Sequence, residues 1–264
     1  MVLKQYQTAD NLNIRIQLHE KYSTNPIGFH EWVFDRFQLQ EGMKILECGV
    51  GTGALWFKNR EKVPPNCHIT MLDLSKGMLE TAKNNIGAVP NVEFEFLIRD
   101  IQKMDFKDDQ FDVIIANHML YHITDIDLAI RETKRVLKFG GTFFASTFGQ
   151  NHLEEIDRIS SLFINMSQPR TSDRFVLENG CYKILNVYGN LLLRKQNDSL
   201  KVTDPQDLID YVLSGTLAKE QLVGDKLKSF VQYVNQLFKI NKIFCIKKDT
   251  GVFIAKKEKE NVEI

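Results

Sequence analysis

Cysteine is scarce in this chain, and what there is forms no pattern. The 264 residues contain four, Cys48, Cys67, Cys181 and Cys245. No two are spaced as C-x-x-C, which argues against a thiolate zinc site and against a redox dithiol. Isolated thiols suit a reducing compartment, and the cytoplasm is the expected location. Cys48 sits in an apolar run and reads as a small buried hydrophobe. No low-complexity linker or internal repeat interrupts the chain. No apolar stretch approaches about 18 residues, so no membrane-spanning helix is expected. The opening Met1–Tyr6 segment has no apolar signal core. Charge of one sign is missing too: 34 basic and 34 acidic residues leave a net charge of zero. A general nucleic-acid binder shows a basic excess or stripe. The best local candidate is the tail with Lys247, Lys248, Lys256, Lys257 and Lys259. It is interleaved with Asp249, Glu258 and Glu260 and reads as a solvated end. No nucleic-acid partner is expected, and the oligomeric state is open.

What is present is an ordinary globular composition, 43% hydrophobic and 26% charged, long enough for one large domain or a core with an elaboration. Up to residue 41 the pattern is helical. Asn25-Pro26 resembles a cap with proline at the first helical position, and Phe29, Trp32, Val33 and Phe37 then share a helical face. From Met43 the rhythm changes. Apolar runs at Lys44–Cys48, Ile69–Leu72, Val92–Leu97, Phe111–Ala116 and Thr142–Ser146 read as strands. Ala54–Lys62, Lys76–Asn85 and Ile126–Leu137 read as helices between them. This alternation predicts an α/β fold, doubly wound, with a mostly parallel sheet of about seven strands. Later strands are expected at Leu191–Leu193 and, antiparallel, at Val252–Ala255. Between residues 151 and 264 helices are expected at His152–Met166, Pro205–Leu213 and Leu217–Ile240. The expected organisation is an N-terminal helical cap over 1–41, a ligand-binding core over 42–150, and a C-terminal half of the sheet over 151–264. A helical insertion at about 205–240 precedes the last strand.

The strongest motif is Glu47-Cys48-Gly49-Val50-Gly51-Thr52-Gly53, which follows a strand and opens a helix. Glycines there allow a sharp turn and close approach of a ligand to the backbone. The spacing is G-x-G-x-G, whereas the dehydrogenase fingerprint that cradles a pyrophosphate runs G-x-G-x-x-G. Glu47, two residues upstream, suits a sulfonium or ammonium better than a pyrophosphate. Asp73 ends the second strand, where an acid can accept from both ribose hydroxyls. Asp100 follows the third strand and can accept from an adenine amino group. Each has a plainer reading: a tight turn, an acid at a helix N-terminus, an acid ending a strand.

Taken together, these residues resemble the class I S-adenosylmethionine-dependent methyltransferases of small-molecule type, similar to quinone-biosynthesis methyltransferases. The resemblance covers about residues 42–147. It implies a Rossmann-like methyltransferase fold and S-adenosylmethionine as cofactor. It implies Gly49, Gly51 and Gly53 under the methionine portion, Asp73 with Leu74 at the ribose, and Asp100 with Ile101 at the adenine. Met78 would pack on the adenine face or in the core. Asn117-His118-Met119-Leu120-Tyr121-His122 corresponds to the family segment that flanks the methionine moiety and faces the acceptor. Asn117 is therefore a cofactor candidate, and His118, Tyr121 and His122 are catalytic candidates or packing groups. His19 and His30 are weaker candidates for a base. Tyr22, in the polar segment before Asn25, could place a ring near the sulfonium or belong to a capped loop. The family more often has aspartate where this chain has Glu47.

The implied activity is methyl transfer to a small-molecule acceptor by in-line displacement, with release of S-adenosylhomocysteine. Such chemistry rests on alignment and exclusion of water, with a base only where the acceptor is protonated. No Asn/Asp-Pro-Pro-Tyr/Phe sequence follows the fourth strand, as base-methylating enzymes often have. No acid pair is there for a metal or for aminopropyl transfer, so no metal is expected. A non-catalytic cofactor-binding protein and a nucleotide-dependent oxidoreductase are the alternatives.

Overall fold

The structure, a computed structural model, describes residues 9–166 and 171–259. The Met1–Tyr6 segment and Glu260 lie outside the described residues. The strands are β1 (Lys44–Cys48), β2 (His68–Asp73), β3 (Glu93–Ile98), β4 (Phe111–Asn117), β5 (Leu137–Phe148), β6 (Leu192–Val202) and β7 (Phe244–Lys256). The helices before β5 are α1 (Ala9–Tyr22), α2 (Phe29–Phe34), α3 (Ala54–Asn59), α4 (Lys76–Ile86) and α5 (Ile126–Val136). After it come α6 (Glu154–Ser160), α7 (Leu177–Tyr188), α8 (Pro205–Leu213), α9 (Thr216–Gln221) and α10 (Gly224–Asn241).

The seven strands form one sheet in the order β3-β2-β1-β4-β5-β7-β6. The first five are parallel, and β7 runs antiparallel to β5, from Thr142↔Lys256 to Phe148↔Thr250. The expected seven-stranded, mostly parallel sheet is therefore present, with Val252–Ala255 inside its antiparallel strand. A parallel sheet has to be covered on both faces, because its crossover helices lie there. Alternate residues of the central strands accordingly enter two separate cores. Leu46, Leu72, Ile114 and Phe143 join Ala129 and Ile130 of α5 and Ile184 of α7. Ile45, Met71, Val113 and Ile115 join Trp32 of α2, Trp56 of α3 and Ala82 of α4.

Local chemistry fixes where the helices start. Ser75 Oγ accepts from Met78 N at the head of α4, and Asp125 Oδ1 accepts from Leu128 N at the head of α5, each satisfying an orphan amide of the first turn. The C-terminal half departs more from expectation. The helix expected at His152–Met166 is confined to α6. The stretch expected as Leu217–Ile240 is split between α9 and α10, where Gly224 takes a φ of 57°. Helix α7 went unassigned because Gly180 sits within it. That glycine is required by packing: a Cβ there would lie 2.9 Å from the Phe175 ring and 3.0 Å from the Phe253 ring.

Two compact units are distinguished, one of residues 1–28, 151–170 and 197–249, the other of 29–150, 171–196 and 250–264. The first has its own core, including Leu18, Leu200, Leu208, Phe230 and Val234. In it Asp198 is buried, paired with Lys248, and accepts from Ser23 Oγ at 2.8 Å and Asn25 N at 3.1 Å. The second unit contains the parallel strands and the glycine turn.

Gly141, at the start of the paired part of β5, offers a direct test of this packing. A Cβ there would stand 2.8 Å from Leu137 Cδ1 and 2.9 Å from the carbonyl oxygens of Asp112 and Lys138. Backbone oxygens cannot step aside as a flexible side chain can. Gly141→Ala is expected to lower stability by about 1–3 kcal/mol, read as a reduced urea midpoint with an unchanged slope. An unchanged midpoint would contradict the packing described.

Candidate functional site

The parallel strands end on one edge, and the polar residues singled out in their turns collect there. Glu47 and Cys48 end β1, Asp73 ends β2, Asp100 follows β3, Asn117 ends β4 and Phe148 ends β5. The turn after β1 is pinned to its neighbour. Gly49 N and Val50 N both donate to Leu72 O, at 2.7 and 3.1 Å. Gly51 N donates to Asp73 Oδ2 at 3.2 Å. The turn requires glycine for two physical reasons. At Gly49 φ is 70° and a Cβ would sit 2.8 Å from Met119 Cβ. At Gly53 φ is 74° and a Cβ would meet Ile86 Cδ1 at 2.9 Å and Ala82 Cβ at 3.0 Å. Gly53 thus sets how closely α3 approaches α4. At Gly51 a Cβ would meet nothing within 4 Å, so the backbone of that residue faces open space.

Glu47 lies beneath this turn and is buried. Trp56 Nε1 donates to its Oε2 at 2.6 Å. Burial pushes its carboxyl up to about 8, against the downward pull of the Trp56 and Asn117 side chains and with an upward push from Asp73. No side-chain cation contributes to this balance among the described residues. Asn117 Oδ1 accepts from Ser146 Oγ at 3.0 Å. Its Nδ2 is buried without a hydrogen bond of standard geometry, yet near enough to Glu47 to lower that group's pKa.

Asp73 accepts from Ser75 N at 2.8 Å as well as from Gly51 N. Burial raises its pKa and these amides lower it. Leu74 beside it and Ile98 at the end of β3 are each 57% exposed. Met78 is half-buried and carries the capped amide of α4. Asp100 accepts from Gln102 N at 2.9 Å and from Gln102 Nε2 at 2.9 and 3.0 Å. Ile101 turns its side chain into the core.

The segment after β4 forms an aromatic cluster. His118 takes a φ of 48°, and its amide donates to Ser146 O at 3.1 Å and Ser146 Oγ at 3.2 Å. Its ring lies 4.7 Å from that of Phe29 and is stacked on Phe148 at 6.0 Å. Tyr121 is 5.3 Å from Phe148 and 4.5 Å from His122. Burial lowers the pKa of His122, which leaves it neutral at pH 7 and able to accept a proton.

Glu47, the three glycines, Asp73, Leu74, Met78, Asp100, Asn117, His118, Tyr121 and His122 thus share one unit and one end of the sheet. Tyr22 belongs to the other unit, where its hydroxyl donates to Asp207 Oδ2 at 2.5 Å. His19 is there too, and burial lowers its pKa to about 4. Trp56, Gln102, Ser146 and Phe148 were not singled out in the sequence, and Phe29 was read only as part of a helical face. Ser146, Phe148 and Phe29 act through contacts with residues far along the chain, Gln102 holds Asp100 two positions away, and Trp56 in a helix reads simply as core.

The raised Glu47 pKa has a consequence for stability. The folded state retains a proton that the unfolded chain has lost, between the unfolded carboxylate range and about pH 8. This contribution is complete below the unfolded pKa and declines as pH rises toward 8, by on the order of 3–5 kcal/mol. Glu47→Gln keeps an oxygen for Trp56 and cannot ionise. Its stability relative to the parent protein is expected to rise steadily from pH 5 to pH 8 in urea titrations. Parallel stability curves would contradict a protonated Glu47.

Comparison with known proteins agrees with this geometry. A family model described as a methyltransferase domain matches residues 39–182, more than half of the chain. The ubiquinone/menaquinone biosynthesis C-methyltransferase UbiE of Vibrio parahaemolyticus is 29% identical over 147 residues, which are 54% of this chain and 56% of that protein. The malonyl-[acyl-carrier protein] O-methyltransferase of Geobacter sulfurreducens is 31% identical over 116 residues, 44% of this chain and 42% of that one. The chain therefore spans about half the length of the curated relatives it matches. The crystal structure of the YcgJ protein from Bacillus subtilis superposes with a TM-score of 0.57 at 18% identity, covering 87% of this chain and 98% of its own, a likeness of fold. The matched span runs from just before β1 into α7, so it encloses the glycine turn, the three acids and the aromatic segment after β4, and the chain belongs to the methyltransferase-domain family.

Proposed function

We propose that the protein transfers a methyl group from S-adenosylmethionine to a small-molecule acceptor, releasing S-adenosylhomocysteine. The observation that carries this reading is the set formed by a buried Glu47 with no side-chain cation beside it among the described residues, the Asn117 amide that leans on it, and a glycine turn with open space at the Gly51 Cβ position. A buried carboxyl favours its neutral form unless a positive charge stands nearby. A ligand carrying a sulfonium and an ammonium supplies that charge, whereas a pyrophosphate would oppose it. Bound there, S-adenosylmethionine would contribute a methyl group already activated on sulfur.

The rest is done by the chain. Asp73 would accept from ribose hydroxyls with the lone pairs that Gly51 N and Ser75 N leave free. Asp100 and the Ile101 amide would read an adenine edge, with Gln102 holding the carboxylate in place. Leu74, Ile98 and Met78 offer apolar surface to a flat ring. Asn117 would offer its amide to the methionine portion. His118, Tyr121 and His122 would face the acceptor and keep water out, with His118 or the neutral His122 placed to take a proton from a hydroxyl acceptor. No group of three or more His, Cys, Asp or Glu suited to a metal ion exists among the described residues. No described helix is long and apolar enough to cross a membrane.

Asp73→Ala tests the assignment. Loss of hydrogen bonds to a charged group should weaken S-adenosylhomocysteine binding by about 2–4 kcal/mol, or roughly 30- to 1,000-fold. Because Asp73 also holds Gly51 N and Ser75 N, a further loss of about 1 kcal/mol in folding stability is expected. Calorimetric titration together with urea unfolding separates the two effects. A destabilised variant with parental affinity would take Asp73 out of the site. In a second test, methyl transfer from labelled S-adenosylmethionine should persist in a chelator. Loss of transfer that magnesium restores would overturn the metal-free reading.

A further inference from the structure

Helices α5 and α7 lie side by side in the same unit as the glycine turn and line an open cavity of about 750 Å³. Its lining includes Lys257, which follows β7 where that strand pairs with the beginning of β5. The cavity therefore extends toward the amino-terminal ends of the parallel strands, away from the glycine turn.

The hydrogen-bonding inventory of this cavity is one-sided. Its acceptors are already engaged: Asp127 by Lys183 Nζ at 3.0 Å, and Val187 O by Lys134 Nζ at 2.8 Å. Arg135 also lines it and is paired with Glu132 and Asp108. Several donors remain. Arg131 makes no hydrogen bond or ion pair among the described residues, and neither do Tyr182, 68% exposed, and Asn186. Lys134 spends one N–H on a neutral carbonyl, so its charge faces no carboxylate. Basic residues in the last turn of a helix answer its dipole, and Lys134 does so for α7. Arg131 stands a turn earlier on α5 and answers nothing. It and Lys134 are three residues apart and share a helix face. Two cations that face no carboxylate, Arg131 and Lys134, thus line one concavity beside an amide and a phenol.

We propose that this cavity is a second binding site, for a soluble phosphorylated small molecule whose phosphate is held by Arg131 and Lys134. A guanidinium beside an ammonium suits a phosphate, which offers several strong acceptor oxygens and more than one negative charge. Tyr182 and Asn186 give the rest of such a ligand a ring and an amide to meet.

Titration of the full chain with inorganic diphosphate at low ionic strength tests this. One diphosphate is expected to bind per chain. Arg131→Ala, which breaks no existing contact, should weaken binding about tenfold, and Arg131→Ala with Lys134→Ala roughly 10- to 100-fold. A control with Lys226→Ala and Lys239→Ala removes two exposed positive charges from α10 and should bind as the parent does. Failure of the parent protein to bind diphosphate would overturn the proposal. So would parental affinity in the cavity variants, or an equal loss in the control, which would show a response to net charge alone.

Discussion

The backbone path between β1 and α3 is the constraint on which the rest depends. Two consecutive amides, Gly49 N and Val50 N, converge on the carbonyl of Leu72, and the next glycine amide reaches the Asp73 carboxylate. The end of β1 is thereby tied to the end of β2, and the acid of the second strand cannot move independently of the turn. The same path brings Met119, from the segment after β4, against Gly49, and the helix face of Ala82 and Ile86 against Gly53. One loop therefore fixes the spacing of α3 and α4, the position of the second acid and the seat of the segment that leads to His118. Side chains at Gly49 or Gly53 would collide with neighbours and occupy a left-handed backbone region that non-glycine residues rarely adopt.

Beneath that turn the fold tolerates an unfavourable group. A carboxyl buried among strand residues, with a second carboxyl nearby and no cation to face it, is a poor contributor to stability. The Trp56 indole and the Asn117 amide offset part of that penalty. Such polar burial is expected where a ligand completes the electrostatics, because a functional site is organised for the bound state. Desolvation holds Glu47 neutral, and under the proposed function a cation bound above it would favour its ionised form. The neighbouring acids differ in kind. Asp73 is held by backbone amides and Asp100 by the Gln102 side chain, so both are positioned before any ligand arrives.

The five parallel strands were legible because each is a short apolar run closed by a turn residue or an acid. The acids of the site were legible for the same reason, since they occupy strand ends. The outer strands were legible only in part, at Leu191–Leu193 and at Val252–Ala255. Near β6 only Leu191–Leu193 looked extended, yet the strand continues through Arg194-Lys195-Gln196-Asn197-Asp198, a polar run with little intrinsic strand preference. It is a strand because it pairs at the margin of the sheet. In the same way β7 begins at Phe244 and carries Lys247-Lys248-Asp249 before its apolar half. Helix α7 was hidden by Gly180, whose missing side chain makes room for two phenylalanine rings. The partners within the site were hidden for a different reason. Trp56 to Glu47, Ser146 to Asn117 and Phe29 to His118 are contacts across 9, 29 and 89 positions of sequence, set by the sheet order and by nothing local.

The central claim is that this strand edge is built for a cationic nucleoside, and the ligand preference of the unaltered protein tests it most directly. Titration calorimetry at pH 7 should show S-adenosylmethionine and S-adenosylhomocysteine each binding one per chain, and no heat of binding with NADH. Binding of NADH with no response to either sulfur nucleoside would contradict the account, because the Glu47 carboxyl and the G-x-G-x-G turn would then be serving a pyrophosphate.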